Sequence, residues 1–319
     1  MTEPLLSVRD LSVEFQTPAG RIRAVNRVSF DLAKGETLAL VGESGCGKST
    51  LARAMVGLVP SAGGSVRFAG QETTGKSRAA LRPVRQKLQL VFQDPYASLN
   101  PRLTISAILE EPLLLHSRLQ GQSADSRVCE LLEQVGLDPV LRARYPHEFS
   151  GGQRQRISVA RALAVGPELL LCDEVTSALD VSVQAQMLEL LAGLQERLGL
   201  SYLFITHDLG VVRSIAHRIA VMYLGQIVEL SATEPFFEKP LHPYSQGLLS
   251  SIPRLRVADG PRSLMQGEVP SPARPPSGCR FHTRCPQRFA RCSLAEPDSY
   301  PVDGRLSRCF LHESAATHG

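Results

Sequence analysis

A glycine-rich loop between a short apolar strand and a predicted helix constrains the fold more than any other feature. The loop, residues 42–49, reads GESGCGKS; the strand covers 37–41 and the helix is predicted over 49–58. Glycines let backbone N–H groups turn towards phosphate oxygens, and a helix N-terminus adds partial positive charge. Lys48 is therefore expected to bind the β- and γ-phosphates of a nucleotide, and Ser49 a Mg²⁺ ion. The alternative is a chance glycine-rich turn, which the flanking strand and helix disfavour.

Hydrophobic patterning predicts strands that alternate with helices, which is typical of an α/β core with a largely parallel sheet. An antiparallel strand pair is predicted first, at 5–16 and 24–32, and a hairpin near the end of the pattern, at 218–230. The other predicted elements are a short strand at 65–69, buried strands at 88–92, 169–172 and 202–206, and helices at 152–165, 181–198 and 245–251. Only helical periodicity is found over 104–165, so we expect a helical insertion there.

Composition excludes several classes of protein. Hydrophobic residues make up 43% and charged residues 21% of the 319 residues, which excludes overall disorder. No apolar stretch approaches the roughly 20 residues of a membrane span, and the start lacks a secretory signal. The expectation is a chain that folds in the cytosol.

The charge excess belongs to the tail. Residues 254–319 contain ten Arg, no Lys and six acidic residues, together with four of the seven Cys and eight of the 22 Pro. This shift predicts a separate module. The Arg residues are scattered and no nucleic-acid-binding motif is present, so no nucleic-acid partner is expected.

A second acidic site is predicted where the strand at 169–172 ends. Asp173 and Glu174 follow this apolar strand, at the end of a strand where ligands bind in open α/β sheets. Asp173 is expected to hold Mg²⁺ through water, and Glu174 to act as the general base for the attacking water. A solvated acidic pair at the start of a loop is the alternative.

The stretch FSGGQRQR at 149–156 resembles the signature sequence of ATP-binding cassette (ABC) ATPases. Its residues predict a second anion site, because a hydroxyl, backbone N–H groups and a helix N-terminus coincide there. In this family the signature serves the ATP bound by a partner cassette. The resemblance therefore implies that the active site is completed only across a dimer of cassettes.

The family's other motifs occur in matching order. Gln93 matches the Q-loop glutamine, His207 the switch histidine and residues 177–180 the D-loop. Phe15 is the candidate for stacking on adenine, with a core phenylalanine as the alternative. Val175 stands where the family usually has Pro, which fixes φ, so we expect a small effect on D-loop rigidity.

The resemblance implies ATP and Mg²⁺ as cofactors, with Glu174, His207 and Gln93 as catalytic residues. The Mg²⁺ ligands it implies are Ser49, Gln93 and Asp173. The nucleotide-binding residues it implies are Phe15, Gly42, Glu43, Ser44, Gly45, Cys46, Gly47, Lys48, Ser49, Thr50, Gln93, Asp173, Ser150, Gly151, Gly152 and Gln153.

Three further stretches narrow the resemblance. DPYASLNPR at 94–102, LHPY at 241–244 and PARPPSGCRFHTRCP at 272–286 are similar to the ATPase subunits of oligopeptide, dipeptide and nickel importers, and in particular to the subunit labelled F. The implied fold is a P-loop NTPase ABC cassette over 1–235. It has a RecA-like core, an antiparallel β subdomain and a helical insertion at about 95–165, and a Cys-containing extension follows over 236–319.

That family implies a set of partners and a location. They are a paralogous ATPase forming a heterodimer, two transmembrane permeases and an extracytoplasmic peptide-binding protein, with the chain peripheral on the cytoplasmic side of the cell membrane. The expected function is to couple ATP hydrolysis to uptake of di- or oligopeptides. Alternatives are import of nickel chelates or glutathione, a non-transport ABC ATPase, an exporter ATPase and a regulatory cassette without turnover.

Four cysteines cluster in the tail, at positions 279, 285, 292 and 309. Disulfides are disfavoured in a cytosolic chain, and zinc sites usually begin with closer spacing. The resemblance implies a [4Fe–4S] cluster held by Cys279, Cys285, Cys292 and Cys309; zinc and free thiols stay open as alternatives. We expect such a metal to stabilise the tail without affecting the ATPase core.

Overall fold

The computed structural model describes residues 3–18, 20–117, 122–177, 179–251 and 267–317. Contacts divide the chain into two compact units. The first contains residues 1–32, 37–75 and 206–319; the second contains 33–36 and 76–205. Each unit is described by itself.

The secondary structure of the described residues is as follows. The strands are β1 (Leu6–Thr17), β2 (Gly20–Leu32), β3 (Thr37–Val41), β4 (Gly63–Phe68), β5 (Gln71–Glu72), β6 (Leu88–Val91), β7 (Leu169–Asp173), β8 (Ser201–Thr206), β9 (Arg218–Tyr223), β10 (Gln226–Ala232), β11 (Tyr300–Val302) and β12 (Arg305–Ser307). The α-helices are α1 (Lys48–Met55), α2 (Arg82–Lys87), α3 (Pro95–Ser98), α4 (Ile105–Pro112), α5 (Gln122–Gln134), α6 (Gly151–Leu163), α7 (Val181–Leu198), α8 (Leu209–Ile215), α9 (Thr233–Glu238), α10 (Pro243–Ser250) and α11 (Ala290–Leu294). A π-helical turn covers Leu113–Ser117, and 3-10 turns cover Pro139–Ala143, Pro146–Glu148 and Phe310–Thr317.

The first unit contains an antiparallel sheet in the order β2-β1-β4-β5. Strand β1 buries Leu6 and Val8 and, beyond an irregularity in its pairing between Val8 and Leu11, also Leu11 and Val13. Within each pair the side chains two residues apart lie on the same face, as in any strand. The predicted strand pair at the start of the chain is present: β1 ends at Thr17 and β2 begins at Gly20.

A second set of strands in this unit carries the phosphate-loop strand. Strand β3 pairs in parallel with β9, and β9 continues through β10 and β12 to β11 in antiparallel fashion. The predicted hairpin around Gly225 is therefore present. Strands β11 and β12, which the sequence reading did not predict, add the tail to the edge of this sheet.

The tail also shares the core of the first unit. Phe281 is 1% exposed, and its ring centroid lies 5.3 Å from those of both Tyr223 and Tyr244. Tyr223 belongs to β9 and Tyr244 to α10, so the aromatic cluster joins the tail to the sheet and to the LHPY segment.

The second unit is built on the parallel strands β6, β7 and β8, with β7 between the other two. Strand β7 is buried throughout, as expected for a strand covered on both faces. Between β6 and β7 the described residues form helices and turns only, from α3 to α6. Residues 118–121 lie outside the described part. No helix among the described residues is long and apolar enough to cross a membrane.

Candidate active site

The phosphate loop of the first unit follows β3 and opens α1. Lys48 is 5% exposed, and its Nζ donates hydrogen bonds to the carbonyl oxygens of Gly42 at 2.8 Å and Glu43 at 3.1 Å. No side chain caps α1, whose N-cap is Gly47 in the left-handed conformation. A buried ammonium group beside an uncapped helix N-terminus suits an anionic phosphate group.

Only glycine fits at position 47. Its φ of +110° is disfavoured for residues with a Cβ, and a Cβ there would lie 2.2 Å from the carbonyl oxygen of Ala24. Strand β2, which contains Ala24, therefore lies against the loop. The loop therefore needs glycine at position 47 for two reasons: its backbone conformation and the close approach of β2.

Glu43 joins the loop to the rest of the first unit through hydrogen bonds of its side chain and its backbone. Its carboxylate accepts two hydrogen bonds from Arg284, at 2.7 Å from Nη1 and 3.0 Å from Nη2. Its backbone N–H donates to the hydroxyl of Tyr244 at 3.0 Å. The hydrogen bond to Glu43 raises the pKa of the Arg284 guanidinium, so the guanidinium stays charged.

This ion pair joins the tail to the phosphate loop. Arg284 lies next to Cys285, one of the four tail cysteines, and binds the loop residue Glu43 directly. The expectation that a metal stabilises the tail without affecting the ATPase core stays a prediction. Neither Arg284 nor Tyr244 was predicted to have a role at the site. Arg284 is one of ten scattered arginines in the tail, and the pair spans 241 positions, so no local pattern reveals it.

Two other predicted site residues belong to the first unit. His207 directly follows β8 and is exposed, and Asp208 beside it caps α8 by accepting the N–H of Gly210 at 2.8 Å. Phe15 lies on β1 opposite Ile22 and is 40% exposed. The alternative reading of Phe15 as a core residue does not agree with that exposure.

The second unit brings Gln93 and Glu174 together. Asp173, 1% exposed, ends β7, and Glu174 follows it with its N–H bonded to the carbonyl of Ile205 at 3.0 Å. The Nε2 of Gln93 donates to Oε2 of Glu174 at 2.9 Å. The predicted Q-loop glutamine therefore contacts the predicted general base.

Glu174 adopts a strained backbone. Its φ is +50°, which costs a residue with a Cβ about 1–3 kcal/mol and is tolerated where surrounding contacts fix it. Val175, in the place usual for Pro, is 2% exposed. Ser177 donates its hydroxyl to the Glu174 carbonyl at 2.9 Å, which holds the turn from the other side.

The signature segment forms a capped helix N-terminus. Ser150 accepts the N–H of Gln153 at 3.3 Å, and the Gln153 side chain accepts the N–H of Ser150 at 3.0 Å, a capping box. A Cβ on Gly152 would lie 2.4 Å from Cγ1 of Val183 on α7, so a side chain does not fit there.

The D-loop residue Asp180 begins α7 by accepting the N–H of Val183 at 2.9 Å. Ala178 of this loop lies outside the described residues. One contact that the sequence did not predict joins the signature helix to the segment after Gln93. The guanidinium carbon of Arg154 lies 3.6 Å from the ring centroid of Tyr96, a cation–π contact.

The four tail cysteines line one cavity, together with His242, Phe281 and Phe310 among others. Burial raises the pKa of the Cys279, Cys285 and Cys309 thiols, to about 11 for Cys279 and for Cys309. In the described part of the chain, no group of three or more His, Cys, Asp or Glu side chains is arranged to hold a metal ion.

The remaining cysteines are dispersed. Cys46 lies in the phosphate loop, Cys129 in α5 and Cys172 in β7, and Cys46 and Cys172 are buried. Burial raises the pKa of both buried thiols, so they stay protonated at neutral pH.

Comparison with known proteins places this geometry in a family. The model of the ABC transporter family matches residues 25–177, and that of the oligopeptide/dipeptide transporter C-terminal region matches 228–292. The Bacillus subtilis oligopeptide transport ATP-binding protein AppF is 50% identical, over 93% of this chain and 93% of its own length. The Escherichia coli dipeptide transport ATP-binding protein DppF is 45% identical, over 97% of this chain and 95% of its own length.

Two solved structures that resemble this chain also come from ABC transporters. A dimeric structure of the ATP-binding cassette MJ0796, in a post-hydrolysis state and bound to ADP and Pi, covers 72% of this chain and 98% of its own length. Its TM-score is 0.66 at 29% identity. The structure of cbiO1 from Clostridium perfringens, part of the ABC transporter complex cbiONQ, has the same TM-score at 25% identity and covers 75% of this chain and 92% of its own length.

A P-loop ATPase of the ABC cassette fold is the class that these features define. The chain belongs to the family of ATP-binding subunits of oligopeptide and dipeptide ABC transporters. The predictions of the fold class, the family, the ATPase activity and the peptide-importer function are confirmed at the level of that family.

Proposed function

We propose that the chain hydrolyses ATP in a complex that imports di- or oligopeptides. In this complex it pairs with a paralogous ATPase, binds two permeases on the cytoplasmic side of the cell membrane, and receives peptide through an extracytoplasmic binding protein. The observation that carries the proposal is the buried Lys48 in its uncapped loop, in a chain 45–50% identical to peptide-transport ATP-binding proteins.

The residues divide into those that act on this chain's own ATP and those that act on the partner's. Lys48 and the N–H groups of residues 42–50 bind the phosphates, while Ser49 and Asp173 hold Mg²⁺. Glu174 accepts a proton from the attacking water, and Gln93 and His207 orient the water and the γ-phosphate. Ser150 to Gln153 offer their helix N-terminus to the ATP of the other cassette.

Closure of two cassettes around ATP moves the attached permeases, because contacts across the nucleotide exist only in the closed state. Hydrolysis removes those contacts and lets the complex reopen. The dimeric arrangement of the related cassette MJ0796 supports this scheme.

A reconstituted transporter tests the proposal. We expect ATP turnover in vesicles to rise when peptide-loaded binding protein is added, and Lys48→Ala to abolish turnover and uptake, because the phosphates lose their lysine. Lys87→Ala is the matched control, since Lys87 pairs with Glu168 on the surface. Uptake of labelled peptide that continues in the Lys48→Ala complex would contradict the proposal.

ATP turnover in the same vesicles also identifies the transported solute. Dipeptides and longer peptides are expected to stimulate turnover, whereas nickel chelates and glutathione are expected to leave it at the basal rate. Stimulation by a nickel chelate or by glutathione alone would assign the complex to that solute.

We also propose that Cys279, Cys285, Cys292 and Cys309 hold a [4Fe–4S] cluster. The four thiols line a single cavity, and four thiolates are a suitable ligand set. When bound, the cluster supplies cross-links between distant parts of the tail, and no step of hydrolysis depends on it.

Anaerobically purified protein tests the cluster. We expect a brown protein with about four iron and four acid-labile sulfide per chain, and Cys309→Ser is expected to lose most of both. Cys129→Ser in α5 is the control and should retain them. A colourless protein with one tightly bound zinc would replace the cluster by a zinc site, and protein with neither metal would leave free thiols.

A further inference from the structure

We propose that Arg284 and Tyr244 are positioning residues for ATP binding, which act by fixing Glu43 at the start of the phosphate loop. The proposal rests on the proposed function, because it assigns the nucleotide to this loop. Neither residue is expected to touch the nucleotide. Their effect passes through Glu43 to Lys48.

Hydrogen bonds hold Glu43 at its side chain, its backbone N–H and its carbonyl oxygen. The guanidinium of Arg284 binds both carboxylate oxygens, at 2.7 and 3.0 Å, and the hydroxyl of Tyr244 accepts the backbone N–H at 3.0 Å. The carbonyl oxygen accepts hydrogen bonds from Nζ of Lys48 at 3.1 Å and from the N–H of Cys46 at 3.3 Å. Side chain, amide and carbonyl are thus all engaged, which leaves Glu43 little freedom.

The position of Glu43 affects that of the phosphate-binding lysine, Lys48. Lys48 Nζ is bonded to two successive carbonyl groups, those of Gly42 and Glu43. A shift of Glu43 therefore moves the acceptors that hold the ammonium group beneath the loop. Misplacement of binding groups by about 1 Å is enough to lower catalytic efficiency strongly.

Arg284 and Tyr244 are rigid enough to act as supports. Arg284 is 8% exposed and lies within 3.5 Å of the Tyr223 hydroxyl. Tyr244 is fully buried, with its ring centroid 4.6 Å from that of Tyr223 and 5.3 Å from that of Phe281. A bidentate arginine–carboxylate pair adds geometric specificity that a single charge does not.

The test measures MgATP binding to the full-length chain by calorimetry. Arg284→Met and Glu43→Gln are each expected to raise the Kd for MgATP about tenfold, and Arg284→Lys about threefold, because lysine keeps the charge without the two-pronged geometry. The double variant decides the mechanism. If both residues act through one ion pair, Arg284→Met adds less than about twofold in the Glu43→Gln background.

Tyr244→Phe removes only the hydroxyl that accepts the Glu43 N–H, and is expected to raise the Kd about threefold to fivefold. Two controls match these changes. Arg291→Met breaks another bidentate ion pair of the same tail, with Glu313, and Tyr202→Phe removes another buried tyrosine hydroxyl, which donates to the Leu191 carbonyl. Both controls should bind MgATP like the wild type.

The outcomes separate this proposal from the proposed function. Wild-type chain that fails to bind MgATP, or binding that survives Lys48→Ala, would overturn both. Normal binding by the Glu43→Gln and Tyr244→Phe variants would overturn the positioning role alone, even if Arg284→Met fails to fold. Fully multiplicative effects of Arg284→Met and Glu43→Gln would also overturn it, since they would indicate a general structural role for Arg284.

Discussion

Replacing Glu174 with Gln is expected to lower ATP turnover of the assembled transporter by at least about 100-fold while ATP binding persists. Loss of a general base typically costs 10²–10⁴ in rate. The amide has nearly the shape of the carboxylate, and its oxygen can still accept the hydrogen bond that Gln93 donates at 2.9 Å. The measurement is phosphate release from the reconstituted complex, alongside ATP retained by the complex in a filter assay.

Glu168→Gln is the matched control for this variant. Glu168 precedes β7, as Glu174 follows it, but its carboxylate pairs with Lys87 at the surface. The control should hydrolyse ATP at close to the wild-type rate. Hydrolysis by the Glu174→Gln complex within a few-fold of wild type would assign the base to another group.

A methyl group on Gly152 is expected to lower turnover of the complex by about tenfold or more without weakening MgATP binding to the isolated chain. The added Cβ would lie 2.4 Å from Cγ1 of Val183, so the start of α6 and its capping box must shift. Under the shared-site scheme this damages the surface offered to the partner's nucleotide. Calorimetry on the isolated Gly152→Ala chain measures its MgATP binding, and phosphate release from the reconstituted complex measures its turnover.

Gly193→Ala controls for the added methyl group. Gly193 lies on α7, the helix that contains Val183, and a Cβ there meets nothing within 4 Å. Alanine in a helix is, if anything, more stable than glycine, so normal turnover is expected. If Gly152→Ala weakened binding to the isolated chain as much as it slowed turnover, the signature would serve this chain's own ATP instead.

The sequence was informative wherever the signal is local. Strand β3, the loop at 42–49 and α1 follow one another within 20 residues. Helix α7 was predicted with its observed bounds, and in the structure Asp180 caps its start. The contact of Gln93 with Glu174 follows from neighbouring parallel strands, since β6 and β7 end at the same edge.

The remaining features depend on contacts between distant residues. Nothing near Arg284 distinguishes it from the other arginines of the tail, and only the folded sheet brings it to Glu43. The positive φ of Glu174 is imposed by its bonds to the backbone of Ile205 and by Ser177, whereas a glutamate by itself favours negative φ. Strands β11 and β12 have three residues each, too few for a periodic signal.

The ion pair between Glu43 and Arg284 can form only after Arg284 has been synthesised, long after the phosphate loop. The two residues are 241 positions apart, which corresponds to roughly 10 to 50 seconds of translation at about 5–20 residues per second. Throughout that interval the nascent chain contains a complete GESGCGKS motif without its tail support. Chains that terminate before residue 284 therefore contain a phosphate loop in which Glu43 lacks its arginine partner. In the full-length chain, this ion pair forms only when about the last tenth of the protein is being synthesised.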